Sequence, residues 1–95
     1  MRRSLLDILA CPIDKYYPLE LIEIDSTNDA TINETVINEG VLFCSQCSRF
    51  YPIIEEIPVM LPDELRDKEK DIKFLEKWQE KIPSKITKNG NPWHL

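Results

Sequence analysis

Val41-Leu42-Phe43-Cys44-Ser45-Gln46-Cys47-Ser48-Arg49-Phe50-Tyr51-Pro52-Ile53-Ile54 decides the fold. Apolar, aromatic and β-branched residues flank a Cys-x-x-Cys turn, so the stretch reads as strand, knuckle, strand. Two thiolates three positions apart across a tight turn grip one metal ion from one side, and a distant segment must supply the other side. Cys11-Pro12-Ile13-Asp14 repeats that spacing, with a carboxylate where the fourth thiolate would stand. The candidate ligands are therefore Cys11, Asp14, Cys44 and Cys47, and the expected ion is structural zinc. Zinc accepts carboxylate oxygen at about 2.0–2.2 Å against about 2.3 Å for sulfur, so Asp14 is a harder ligand of shorter reach. The alternatives are cysteines packed as small hydrophobes after loss of the metal, or a redox pair, which lacks a βαβ setting. His94 stands in the tail and reads as a surface residue.

On the N-terminal side, Leu5, Leu6, Ile8 and Leu9 form one side of a short helix with Ser4 as its cap. Cys11-Pro12 ends it, because the residue before proline is pushed away from the α region. Leu19 to Asp25 begins with alternation and predicts a strand with one buried face. Residues 26–38 are rich in Asn, Thr and acids and read as a polar insertion between the knuckles, with at most a weak strand at 31–37. On the C-terminal side, Ile57-Pro58-Val59-Met60-Leu61 reads as an edge strand, since proline cannot complete a central ladder. Pro62 suits the first position of a helix that runs to about Ile82, and residues 84–95 read as a loose tail. The expected fold is α+β: a zinc-ribbon-like small antiparallel sheet of three or four strands with a short N-terminal helix and a C-terminal helix. Residues 1–62 form the knuckle domain and residues 63–95 the C-terminal helix and flexible tail.

Ninety-five residues with 42% hydrophobic content allow one small core, and cores of that size commonly lean on a staple. The net charge of −5 argues against non-specific binding to nucleic-acid phosphates. No apolar run approaches the roughly 20 residues of a bilayer span, and Asp7 and Asp14 interrupt any signal-peptide pattern. Three cysteines cannot pair completely, which points to a reducing, cytoplasmic setting where clustered cysteines mean metal. With only Gly40 and Gly90 there is no phosphate-binding loop, and no nucleophile–His–acid set is visible, so independent catalysis is not expected.

Three stretches together carry a family likeness: Leu5-Leu6-Asp7-Ile8-Leu9-Ala10-Cys11-Pro12-Ile13, Gly40 through Cys47, and Tyr51-Pro52-Ile53-Ile54-Glu55-Glu56-Ile57-Pro58-Val59-Met60-Leu61. The chain resembles the small zinc-knuckle activator subunit of tRNA, rRNA and release-factor methyltransferases, and short bacterial proteins of the same pattern. The likeness spans residues 1–62 apart from 26–38, and departs from the pattern at Asp14, where the family commonly has a second cysteine. It implies a non-catalytic subunit that forms a heterodimer with an S-adenosylmethionine-dependent methyltransferase, covers an apolar patch on it and meets RNA only indirectly.

The residues themselves are consistent with a binding role. A one-layer sheet exposes alternate faces and cannot bury everything that residues 53–61 offer. The expected partner surface is Leu5, Leu9, Ile53, Ile54, Ile57, Pro58, Val59, Met60 and Leu61, beside an edge open to β-augmentation. A C-terminal helix lying over the same surface is the competing arrangement. A second functional reading is a free-standing zinc ribbon that binds RNA through Arg2, Arg3, Lys15, Tyr16, Tyr17, Arg49, Phe50 and Tyr51, since aromatics beside cations stack on single-stranded bases.

Overall fold

The computed structural model describes residues 1–95, with Asp7 described by its backbone alone. Four antiparallel strands follow one another across a single sheet: β1 (Glu20–Asp29), β2 (Glu34–Phe43), β3 (Phe50–Ile54) and β4 (Ile57–Pro58). A 3-10 segment, Arg3–Asp7, precedes the sheet; after it come a 3-10 turn at Asp63–Leu65, helix α1 (Lys68–Trp78) and the single turn α2 (Ser84–Thr87). The α+β class and the antiparallel sheet agree with expectation.

Alternation along the strands builds two cores, one on each face of the sheet. Ile37, Leu42, Tyr51 and Ile53 turn to one face and are covered by Met1, Cys11 and Leu19, with Leu6, Leu9 and Met60 packed at the margin. Val41, Phe43 and Phe50 turn to the other face and meet Phe74, Leu75, Ile82 and Ile86. The first face is closed by the N-terminal segment and the knuckles, the second by the C-terminal helices.

Five expectations need correction. Residues 26–38 are mostly strand: β1 and β2 pair from Glu20↔Phe43, through an irregularity between Glu23 and Ser26, out to Asn28↔Thr35 and Asp29↔Glu34, leaving only residues 30–33 as the turn. The outer part of this arm, residues 26–35, is largely exposed, so alternation has little to act on there, while Val36 and Ile37 are buried at its base and pairing satisfies the backbone. Asn38 Nδ2 donates across the arm to Thr27 Oγ1 at 2.7 Å. The long helix from Pro62 is broken at Arg66, whose extended backbone (φ −83°, ψ 146°) drops its side chain into the second core. Helix α1 restarts under an Asp67 cap that accepts from the Lys70 N–H at 3.2 Å. The tail is packed, with Ile86 fully buried and Leu95 N–H donating to the Thr87 carbonyl at 2.8 Å. Finally, the strand expected over 57–61 keeps only Ile57–Pro58, and the Ser4 cap is replaced by an uncapped start at Arg2.

Gly40 marks where the two strands pass closest. The β1–β2 register shifts beside it, and a Cβ there would stand 2.8 Å from the Ile22 carbonyl oxygen and 3.2 Å from Ile37 Cγ2. The obstacle is backbone, so Gly40→Ala should lose about 1–3 kcal/mol, the usual cost of overpacking. A denaturant titration reads this directly, and an unchanged midpoint would show that the arm shifts freely.

Candidate metal centre and partner surface

The two knuckles are built by the same local rule. In the first, Lys15 N–H donates to the Cys11 carbonyl at 2.8 Å and Cys11 N–H to the Tyr16 carbonyl at 3.0 Å. In the second, Ser48 N–H donates to the Cys44 carbonyl at 2.8 Å and Cys44 N–H to the Arg49 carbonyl at 2.9 Å. Both turns close through a left-handed residue at the same position, Lys15 (φ 60°) and Ser48 (φ 61°). Asp14 is fixed further by the Tyr16 N–H, which donates to its Oδ1 at 2.9 Å.

The turns face each other and bring one ligand atom each from Cys11, Asp14, Cys44 and Cys47 within 4.8 Å of one another. Cys11 Sγ and Cys47 Sγ are 3.7 Å apart, and Cys44 Sγ is 3.6 Å from each Asp14 oxygen. A tetrahedral ion with bonds of zinc length would set sulfurs about 3.8 Å apart and a sulfur and an oxygen about 3.6 Å apart. The spacing fits a metal ion, and the shorter reach of Asp14 is met by position.

The surroundings prepare unequal thiols. Burial pushes the Cys44 thiol up to about 12. Burial also pushes Cys11 up, but the Tyr51 hydroxyl and the Asp14 and Ile13 N–H groups outweigh it, and the net shift is downward. The Tyr16 N–H leads in holding the Asp14 carboxyl below its ordinary value. The Cys44 thiol must therefore give up its proton for an ion to bind there, whereas Asp14 is already a carboxylate. Around them lie groups that spacing did not disclose. Tyr51 Oη sits 3.1 Å from Cys11 Sγ. Arg49 grips Asp63 with Nε–Oδ1 at 2.9 Å and Nη2–Oδ2 at 2.8 Å. Asp63 first, and then the Cys47 sulfur, hold that guanidinium firmly charged. One cation beside three thiolates and a carboxylate offsets part of their charge.

The expected partner residues divide. Ile53 is 0% exposed and belongs to the first core, because its place in β3 turns it toward Met1 and Leu19. Leu9 and Met60 are partly buried against that same core, and Pro58 and Val59 are half-buried. Ile57 (65%), Ile54 (38%), Leu61 (37%) and Leu5 (37%) remain exposed. Ile54, Ile57, Val59 and Leu61 meet Leu65 and Arg66 in an apolar groove of about 490 Å³ between β4 and the start of α1. Ile8, not expected as a contact, is 75% exposed. The basic-aromatic patch is reduced: Phe50 and Tyr51 are fully buried and Arg49 is held by Asp63, which leaves Lys15, Tyr16 and Tyr17 exposed and Arg3 in a surface pair with Glu23.

Among the described residues, no helix is long and apolar enough to cross a membrane. Residues 2–56 match the family model described as Trm112p-like protein. The chain is 41% identical over 66 residues to a UPF0434 protein of Methylobacillus flagellatus, an alignment covering 70% of this chain and 85% of that protein. Its fold matches the Haloferax volcanii Trm112 methyltransferase activator, solved in complex with a methyltransferase, with a TM-score of 0.60 and 38% identity over 70% of this chain and 100% of that one. The chain belongs to the Trm112p-like family.

Proposed function

We propose that this protein is a non-catalytic activating and stabilising subunit of S-adenosylmethionine-dependent methyltransferases that modify tRNA, rRNA or translation release factor. It works in the cytoplasm as a heterodimer with the catalytic chain and meets RNA only through that partner. The observation that carries this reading is the match in fold and sequence, over the whole of the neighbour's chain, to an activator bound to a methyltransferase. Cys11, Asp14, Cys44 and Cys47 hold zinc as a structural ion, fixing the knuckles and hence the first face of the sheet. The reduction of the basic-aromatic patch weighs against a free-standing RNA-binding ribbon.

The docking surface in this reading is the groove at Ile54, Ile57, Val59 and Leu61, with Pro58 between two of its lining residues in sequence and the exposed Leu5 as a further apolar position on the N-terminal segment. Leu9, Ile53 and Met60 support it from the core side, which makes them unsuitable probes of docking. Ile57 is the better probe, because a lysine at a position 65% exposed stays solvated in the free chain. Burying one such side chain is worth about 1.5–3 kcal/mol at an interface, and a buried unpaired charge adds its own cost. Ile57→Lys should melt like the parent, yet lower the solubility and methyl transfer of a co-expressed catalytic subunit. A catalytic subunit as soluble and active with the variant as with the parent would exclude the groove as the activator site.

A further inference from the structure

Asn91 lies 44 residues beyond Cys47 in sequence and directly against it in space. Its Nδ2 donates to the Cys47 carbonyl at 2.9 Å, its N–H to the Ser48 carbonyl at 2.7 Å, and its carbonyl accepts from the Phe50 N–H at 3.2 Å. One residue thus ties down a metal-ligating position, the left-handed residue after it and the strand it feeds. Gly90 sets Asn91 in place: its N–H donates to the Ile86 carbonyl at 3.0 Å, and a Cβ there would stand 2.5 Å from that oxygen and 3.3 Å from Phe50 Cδ1. Trp93 then anchors the segment at a separate point, its Nε1 donating to Asp71 Oδ2 at 3.0 Å. All of this lies beyond residues 2–56, which carry the family match.

We propose that residues 88–93 form a strap that positions the second knuckle for its metal ion, with Asn91 as the positioning residue acting through Cys47. The proposal rests on the zinc reading above. Its rationale is the donor set. A carboxylate in place of a fourth thiolate gives up part of the softness that zinc favours. Holding the Cys47–Ser48 turn in ligating shape before the ion arrives removes ordering cost from binding and resists the opening that release requires. Bonds outside the ligand shell typically govern 10–100-fold in metal affinity.

The test uses the full chain loaded with one equivalent of zinc and measures transfer of the ion to excess chromophoric chelator, with cobalt substitution to read the thiolate–metal absorption. Asn91→Ala and the isosteric Asn91→Asp both lose the Nδ2 donor and keep the backbone bonds. Each should release zinc about 10–100-fold faster than the parent and alter the cobalt spectrum. Trp93→Phe, which loses the bond to Asp71 and part of the ring packed on the second core but no contact to the knuckle, should lower the melting temperature and leave the release rate at the parent's value. Release from both Asn91 variants at the parent's rate would overturn the strap while leaving the zinc site standing. Equal acceleration by Trp93→Phe would also overturn it, by showing that the tail acts through general stability. A parent chain that takes up no zinc would overturn the zinc reading and the strap together.

Discussion

Cys44→Ala is expected to give a chain that holds no zinc tightly and melts far below the parent, at the temperature of parent protein stripped with a chelator. Cys44 is fully buried and shares the first core with Cys11 and Tyr51, so an ion held by the proposed ligands would be built into that core. Structural zinc in small domains binds with an apparent free energy of about 10–16 kcal/mol, which is folding free energy because the unfolded chain has no site. Whole domains are stable by only about 5–15 kcal/mol, so losing even part of this term is decisive. The measurement is a pair of melting curves for each protein, one in excess zinc and one in chelator. The parent should separate widely between the two conditions and the variant should not. A parent insensitive to chelator would mean that the knuckles hold without metal and that the cysteines simply pack.

The second large effect is expected at Arg66. Its side chain is 1% exposed, its Nε donates to Asp71 Oδ2 at 2.9 Å, and its guanidinium carbon lies 4.6 Å from the Phe50 ring centre, 5.3 Å from Tyr51 and 5.9 Å from Trp93. Nη1 and Nη2 are buried without a hydrogen-bond partner among the described residues, so the rings are their compensation. Arg66→Ala strands the Asp71 carboxylate, and breaking a buried pair in this way costs about 3–5 kcal/mol. Burial already raises the Asp71 carboxyl above its ordinary 3.8, with Arg66 opposing that rise, and loss of the guanidinium lifts it further. A carboxyl raised in the folded state contributes most below 3.8 and loses that contribution as pH rises through the folded value. The variant should therefore be hurt less in mild acid than at pH 7. Replacing both partners with apolar residues, Arg66→Met with Asp71→Leu, should recover most of the loss. Urea titrations at the two pH values check both signs, and a loss under about 1 kcal/mol at pH 7 would show that the pair is hydrated rather than buried.

The cluster of four candidate ligands was legible because a knuckle is a local object: the spacing of Cys44 and Cys47, repeated at Cys11 and Asp14, is the geometry that brings them together. The strand–knuckle–strand unit around them followed from residue type for the same reason. What escaped the reading was set by tertiary contact. Ser26 to Asn38 looks like loop because β-propensity largely records packing, and the outer part of this arm pairs its backbone with its side chains exposed, only Val36 and Ile37 being buried. Arg66 sits in a run of helix-favouring charges, and nothing nearby says that three aromatic rings, two of them from β3, draw it out of the helix. Asn91 and Trp93 look like any polar tail, since the groups they bind lie 44 and 22 residues away. Ile53 could not be told from Ile54 as core or surface until the face covered by the N-terminal segment was known.

The two faces of the sheet are completed at different times during synthesis. All four ligands and strands β1 to β3 lie within residues 11–54, whereas the side chains that cover Val41, Phe43 and Phe50 lie at Phe74, Leu75, Ile82 and Ile86. A ribosome adds about 5–20 residues per second, so for some seconds a nascent chain has its knuckles and its first face with the second face bare. In that window Val41, Phe43 and Phe50 form an exposed apolar surface open to non-native association, until the late helices land on it.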